Sequence, residues 1–336
     1  MSEPLVSIII PCYNEEKHIR ECLNSVGAFN YPQEKLEIFV VDGMSTDRTR
    51  EIVTDEYCRV FSNIRMIDNP EMTAPYAFNA GIRNSDGDYI IIIGAHSAYS
   101  QEYVKNLVSW QNKLDAYNIG GVMITDIRNK NKKTKAIEIV LSNKFGVGNA
   151  TFRTGTAEVK SVDTVAYGCY KRESFEKFGF FNEKLTRNQD IEFNKRIINA
   201  GGKIYLVPDA ECRYFARETF SEIAKNNFEN GMWNIHTVYF TKDFTSLSLR
   251  HFIPLFFVLS LLLPLIFSLF WWYLIFASLA SLVMYLGLVS LISFKTYSKE
   301  TRIIYLIWTF IVLHISYGAG LLAGIFNLPF LALKNR

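Results

Sequence analysis

Apolar runs of about five residues recur along the first hundred positions: VSIII at 6–10, EIFVV at 37–41, NIRMI at 63–67 and YIIII at 89–93. Between them, EEKHIRECLNSV, STDRTREIVTDEY and TAPYAFNAGIRNS place apolar residues at helical spacing against polar faces. Strand and helix in alternation predict βαβ units with right-handed crossovers, hence an α/β, Rossmann-like and mostly parallel sheet. Residues 119–215 add GGVMIT, DTVAYGCYK and KIYLVPDA as further strands. A helix from about Gln189 to Ala200 is expected to stop at Gly201-Gly202, as helix ends prefer.

The pattern changes after residue 218. Residues 219–250 read as an amphipathic, aromatic-rich region suited to a membrane surface, and 251–336 as a membrane domain. Three stretches, 252–270, 273–294 and 303–326, approach the ~20 residues that a bilayer-spanning helix requires. The basic loop KTYSKETR (295–302) is expected to face the cytosol, together with a catalytic domain formed by residues 1–218. Lys334 and Arg336 then fall outside, against the positive-inside tendency, so either the tail is an exception or one segment is re-entrant. His314 lies within the third stretch, and both a functional role and a hydrogen-bonded packing role are open to it.

A formal charge of +3, with no basic stripe interleaved with aromatics, excludes a nucleic-acid partner. The one dense basic run, KNKKTK at 130–135, reads as a solvated loop, with a phosphate- or lipid-facing loop as the other reading. Five scattered cysteines, none spaced as C-x-x-C, point away from a disulfide framework or a zinc site and fit a reducing compartment. MSEPLVSIIIP lacks a basic n-region and is expected to begin a strand, not a signal peptide.

Ligands of open parallel sheets sit beyond the carboxyl ends of the strands. Four segments occupy those ends and are expected to converge: PCYNEE, DGMSTD, DNPEMT and GAHSAY. A dinucleotide-dependent dehydrogenase would need a glycine-rich turn after the first strand, and Pro11-Cys12-Tyr13-Asn14-Glu15 contains no glycine. Asp42 suits a hydrogen bond to a nucleobase or ribose, or a turn; Asp47 suits the cap of the following helix.

VSIIIPCYNEEKHIRECLNSV, FVVDGMSTDRTREI, APYAFNAGIRNSDGDYI and RNQDIEFNKRIINAGGKI together resemble the catalytic domain of the family-2 inverting glycosyltransferases, with the A-type nucleotide-sugar-binding fold. FGVGNATFR, VDTVAYGCYKRESFEKFGFFNEKLTRNQDIEFNKRI and the late GAGLLAG are similar to the succinoglycan-type exopolysaccharide branch with C-terminal membrane helices. The resemblance implies that Pro11, Tyr13 and Glu15 hold the nucleoside and that Asp42 meets the base. It places Asn79 and Arg83 along the base and diphosphate, and Asp190 as general base, with Gln189 replacing the family's glutamate. Arg217 and, on the acceptor side, Gln189 and Trp233 complete the implied set.

The fourth strand ends in Asp-x-Asp in the family and in an Asp-Ala-His-like pattern in the branch. Here Gly94, Ala95 and His96 stand there, so the resemblance makes His96 the metal ligand, with Ala95 beside it against the donor. By ligand hardness an imidazole suits Mn²⁺ better than Mg²⁺. Mn²⁺ preference is therefore expected, or weak metal use with basic side chains sharing the phosphate charge; a loop histidine without a ligand role is the alternative. Gly146, Gly148 and Gly155 leave 144–160 open as a mobile lid or an ordinary loop.

The expected enzyme is an inverting hexosyltransferase of the inner-membrane surface, its catalytic domain cytoplasmic. It would move sugar from a nucleoside-diphosphate donor, UDP-linked by expectation, to a lipid-linked glycan or polysaccharide precursor. Membrane lipid and other polysaccharide-assembly proteins are its expected partners. The alternative is a degenerate, non-catalytic glycosyltransferase-like subunit of such an assembly, for which Gly94 speaks most directly.

Overall fold

The computed structural model describes residues 3–148, 150–247 and 249–334. The chain forms two compact units, 1–125 with 150–215, and 126–149 with 216–336.

The first unit opens with β1 (Val6–Cys12), α1 (Ile19–Gly27), β2 (Leu36–Asp42) and α2 (Thr49–Ile52), which continues into a π-helical turn to Cys58. β3 (Ile64–Asp68), α3 (Ala74–Arg83), β4 (Tyr89–Ile92), β5 (Ser97–Tyr99), α4 (Tyr103–Leu114) and β6 (Asn118–Asp126) follow. After α5 (Lys132–Leu141) and α6 (Lys144–Val147), which belong to the second unit, come α7 (Thr151–Thr154), β7 (Lys160–Ser161), β8 (Cys169–Lys171), α8 (Arg172–Phe178), α9 (Gln189–Asn199) and β9 (Ile204–Phe215).

The strands make one mixed sheet in the order β3-β2-β1-β4-β8-β6-β9-β5, with β7 on β9. The first four run parallel, in register Val6↔Leu36, Ile38↔Ile64 and Val6↔Tyr89. β8 turns antiparallel to β4, and β5 and β7 lie antiparallel to β9. The apolar run Ile8–Ile10 of β1 is explained by its central place: Ile8 and Ile10 enter one core and Ile9 the other, all fully buried. α1 presents Ile19, Cys22, Leu23 and Val26 to the first core; α3 starts on Pro75 and sends Ala77, Phe78 and Ile82 to the second. α9 ends where expected, at Gly201 with φ 82°. GAHSAY, expected as loop, contains the short strand β5, because Ser97–Tyr99 finds a partner in Cys212–Tyr214.

The second unit joins α5 and α6 to α10 (Phe220–Thr241), α11 (Ile253–Phe267), α12 (Ile275–Thr296) and α13 (Ile303–Lys334). Among the described residues three helices are long and apolar enough to cross a membrane: Leu249–Phe267, Trp272–Thr296 and Ile303–Leu333, the third exceeding its expected 303–326. α10 and α13 pack at backbone contact: a Cβ on Gly231 would meet the Tyr317 carbonyl, and one on Gly320 the Phe228 carbonyl.

The basic run at 130–135 is not wholly a loop. Asn131 and Thr134 form a capping box that starts α5, whose Ala136, Ile137 and Val140 are buried with Leu306, Phe310 and Leu313. The segment 144–160, of which Asn149 lies outside the described residues, begins with the short helix α6. Phe145 stacks edge-on against His314 at 4.9 Å, and a Cβ on Gly146 would run into the Val140 carbonyl, so that glycine serves close packing; Gly148 and Gly155 do have positive φ. His314 takes the packing role, its ring nitrogens meeting Tyr285 Oη at 3.0 Å and the Phe145 carbonyl at 2.8 Å.

Candidate functional site

The sheet order puts a switch point between β1 and β4: from β1 the chain progresses outward through β2 and β3, then returns to β4 on the other side. Crevices at such points collect ligands. The residues following those two strands meet there, His96 Nδ1 donating to Glu15 Oε1 at 2.8 Å. A carboxylate accepting from Nδ1 leaves Nε2 facing away from Glu15, the arrangement in which a carboxylate orients a metal-binding histidine. His96 is 39% exposed at its side chain and Glu15 15%, so the pair opens to solvent from the imidazole side. His18 and Tyr214 flank the imidazole at ring separations of 6.1 and 6.0 Å.

The other strand-end turns are tied to the same place. Asn14 sits at φ 55° and spans to the DGMSTD turn: its N–H donates to Ser45 Oγ at 2.8 Å, and its Oδ1 accepts from Thr46 N at 2.8 Å. Glu15 N donates to Thr49 Oγ1 at 2.7 Å and Glu16 N to Asp47 Oδ2 at 3.1 Å; the cap position itself falls on Arg48, and Asp47, one residue earlier, accepts from Thr49 N at 2.9 Å. Asn69 N donates to the Asp42 carbonyl at 2.8 Å. The four expected segments are thereby linked by hydrogen bonds. Beside them Pro11 pairs with Val41, Tyr13 is 45% exposed, and Ala95 is buried in the first core.

Asp42 is fully buried and already occupied. Its Oδ2 accepts from Arg50 Nη1 at 2.6 Å and Ser45 N at 3.0 Å, and its Oδ1 from Ser45 Oγ at 2.5 Å and Cys12 Sγ at 3.6 Å. A nucleobase N–H reaches it only by displacing one of these donors. Arg50 also reaches Asp68 at 2.8 Å, and Asp68, level with Asp42 on β3, is 55% exposed at its side chain. Sequence reasoning missed Arg50 and Asp68; the signal was Asp68 at a strand's carboxyl end in MIDNP.

Asn79 lies inside the protein, bonding the Phe181 backbone at 2.9 and 3.0 Å and Glu183 Oε1 at 2.9 Å. Arg83 covers the Phe180 ring at 4.8 Å and approaches Glu183 at 3.6 Å. Both act on the 180–183 loop that leads toward α9. In the first turn of α9, Glu192 is clamped by Arg196 through two bonds of 2.8 Å, whereas Asp190 forms no ion pair among the described residues. Removal from water raises the Asp190 carboxyl above its ordinary value, against the backbone N–H groups of Ile191 and Asp190 that pull it down. A carboxylate so placed is a stronger base than a free one. Next to it, Gln189 leaves its side-chain oxygen buried without a hydrogen-bond partner. Arg217 and Trp233 belong to the second unit, where Trp233 packs edge-on to His236 at 5.1 Å.

Gly94 has a steric reason. A Cβ there would sit 2.7 Å from Tyr167 Oη and 3.0 Å from the tyrosine ring. Tyr167 fills the space at φ 51°, its hydroxyl 2.8 Å from Ser97 Oγ and its carbonyl accepting from Tyr103 Oη at 3.0 Å. No group of three or more His, Cys, Asp or Glu gathers among the described residues. By themselves the described residues would hold a divalent ion weakly: His96 would offer one donor, and the diphosphate and water would have to supply the rest.

The mixed, mostly parallel sheet followed by long apolar helices has the architecture of the A-type glycosyltransferase fold. Residues 7–179 match the family described as Glycosyl transferase family 2, and the chain belongs to that family, whose members transfer sugar from nucleotide-sugar donors with inversion. It is 31% identical over 233 residues, 67% of this chain and 71% of the relative, to a dolichyl N-acetyl-α-D-glucosaminyl phosphate 3-β-D-2,3-diacetamido-2,3-dideoxy-β-D-glucuronosyltransferase from Methanococcus voltae. With the succinoglycan biosynthesis protein ExoA of Rhizobium meliloti it shares 27% identity over 62% of this chain and 63% of that one. The fold matches that of a mannosyltransferase from Pyrobaculum calidifontis, solved with GDP-mannose and Mn²⁺, with TM-score 0.62 and 17% identity over 98% of this chain and 89% of the other.

Proposed function

We propose that this chain is a membrane-anchored inverting glycosyltransferase that carries a hexosyl group from a UDP-sugar to a lipid-linked glycan or exopolysaccharide precursor, with its catalytic unit on the cytoplasmic side of the inner membrane. The observation that carries the reading is Asp190: an acid at a helix start with no ion pair among the described residues, its affinity for protons raised by burial. In-line attack by an acceptor hydroxyl on the anomeric carbon needs such a base at the moment the O–H bond breaks. Asp190 accepts that proton, and the Gln189 oxygen accepts a hydrogen bond from the acceptor.

Tyr13, Glu15 and the Asp42–Arg50–Asp68 set hold the nucleoside end, with Asp68 presenting the exposed carboxylate. Pro11 fixes the first turn, and Asn79 and Arg83 act through the 180–183 loop. His96, oriented by Glu15 and neighboured by Ala95, would hold a divalent ion, Mn²⁺ in preference to Mg²⁺; when bound, such an ion neutralises charge on the leaving diphosphate. The diphosphate and acceptor roles of Arg217 and Trp233, both in the second unit, rest on the family resemblance alone. The acceptor class is supported by the dolichyl-phosphate relative and by three helices long enough to span a bilayer. Membership of the succinoglycan-type branch is supported by the ExoA similarity.

The filled space beside Gly94 favours one other reading, a non-catalytic subunit. Turnover decides between them. Detergent-purified protein is given UDP- and GDP-sugars with polyprenyl-phosphate and polyprenyl-diphosphate-sugar acceptors, and donor loss is followed. Asp190→Asn should lower turnover about 10²–10⁴-fold, the usual contribution of a positioned base, with nucleotide affinity unchanged. Full turnover in that variant would overturn the assignment of the base; no turnover by the wild type with nucleotide bound would favour the subunit.

A further inference from the structure

Arg153 is a cation without a carboxylate. It lies in the single turn α7, partly exposed, and no acid of the described residues pairs with it. Its guanidinium carbon stands 5.2 Å from the centre of the Tyr214 ring and 5.7 Å from that of Phe152. The same Tyr214 ring lies 6.0 Å from His96. One phenol ring thus relates the guanidinium to the imidazole at the switch point. Its charge also reaches Tyr167, the residue that fills the space beside Gly94, where it opposes the effect of burial on the phenol.

The surroundings make that charge consequential. Glu15 is engaged by His96, and a carboxylate at position 94 is sterically excluded by Tyr167, so the end of β4 carries no acid of its own. A nucleoside diphosphate brings several negative charges to a crevice with few groups to bind a metal. A guanidinium set against aromatic rings and not against a carboxylate leaves N–H groups for phosphate oxygens, which its planar fork can meet two at once.

We infer that Arg153 binds the diphosphate of the donor from its seat on Tyr214, supplying beside His96 the fixed positive charge that stabilises the leaving group. The inference rests on the donor reading above and adds the residue that separates a diphosphate from a monophosphate. No carboxylate need move for it to act, and the charge is present with or without a metal ion.

The test is calorimetric binding of UDP and UMP, with GDP and GMP in parallel, to the detergent-purified full chain in EDTA, so that no ion masks the arginine. The wild type should prefer the diphosphate of whichever nucleoside it binds. Arg153→Gln should cut that preference roughly 10- to 100-fold, the worth of charge-assisted hydrogen bonds, while monophosphate affinity stays within about twofold. Arg153→Leu keeps an apolar cover on Tyr214 and decides the matter if the glutamine variant melts early. An unchanged diphosphate preference in a folded variant, or equal weakening of both nucleotides, overturns the inference and leaves the donor reading standing. A wild type that binds none of the four nucleotides overturns the donor reading and this inference with it.

Discussion

Placing one methyl group at position 94 probes the steric account of the missing acid. In Gly94→Ala the new Cβ would stand 2.7 Å from Tyr167 Oη and 3.0–3.1 Å from two ring carbons, all on a side chain that is itself hydrogen-bonded to Ser97. Overpacking of this kind costs about 1–3 kcal/mol, and breaking the Ser97 bond to let the ring retreat costs about 1 kcal/mol more. For a unit of this size a kcal/mol corresponds to about 2–4 °C, so the melting temperature should fall by about 4–15 °C. The assay is thermal unfolding of the full chain in detergent at one fixed scan rate, because membrane-protein melts are scan-rate-dependent. Tyr167→Phe removes the nearest atom, so alanine should cost less in that background, with a coupling of about 0.5–3 kcal/mol in the double-mutant cycle. An equal cost in both backgrounds, or none in either, would refute the idea that Tyr167 dictates glycine at 94.

Asp190→Asn should not lower stability at neutral pH. With the folded carboxyl raised by burial, the folded state holds the proton more tightly; the charged form costs stability above that value, and the cost disappears as pH falls below the unfolded carboxylate range. Melting of the variant should equal or exceed wild type near pH 7 and converge with it in acid; a variant that melts clearly lower at pH 7 contradicts the burial argument. The same shift should move the acid limb of the rate profile above the usual carboxylate range, and a limb at or below that range in kcat would remove Asp190 as the base. Glu15→Gln leaves His96 without its carboxylate partner and should weaken Mn²⁺ affinity of the nucleotide-bound protein about 10–100-fold; unchanged affinity would separate His96 from metal binding. His314→Phe deletes bonds to Tyr285 and the Phe145 carbonyl and should cost about 1–2 kcal/mol in melting, whereas no change would make those bonds incidental.

The parallel half of the sheet was legible because burial on both faces makes β1, β2 and β4 mostly apolar, with Ser7 and Glu37 bonded to each other, and their carboxyl ends carry the polar turns. The three apolar helices were legible by length alone. Pairings were not. Nothing local in PCYNEE and GAHS says that Glu15 meets His96, since the contact depends on β1 and β4 becoming neighbours. Asp42 could be read as a strand-end acid, yet its closure draws on three places, Cys12 on the neighbouring strand, Ser45 in its own turn and Arg50 on the next helix. The glycine at 94 looked like a loss of chemistry, and its cause lies 73 residues later in Tyr167, which no spacing rule connects to it. The basic run at 130–135 was misread because its charges mask the apolar stripe of α5, which is buried only once α13 is present.

That last relationship has a temporal side. The Lys132 carbonyl at the start of α5 accepts a hydrogen bond from Thr301 Oγ1, 169 residues further along, and the stripe of Ala136, Ile137 and Val140 is covered by side chains later still. At the ~5–20 residues per second of synthesis, α5 is made about 10–30 s before its cover exists. During that interval its apolar face is bare on the ribosome-bound chain, a target for chaperones or for the bilayer surface. A chain stopped at residue 216 would never leave that state, so aggregation of such a shortened protein would report on α5 and not on the sheet that carries the chemistry.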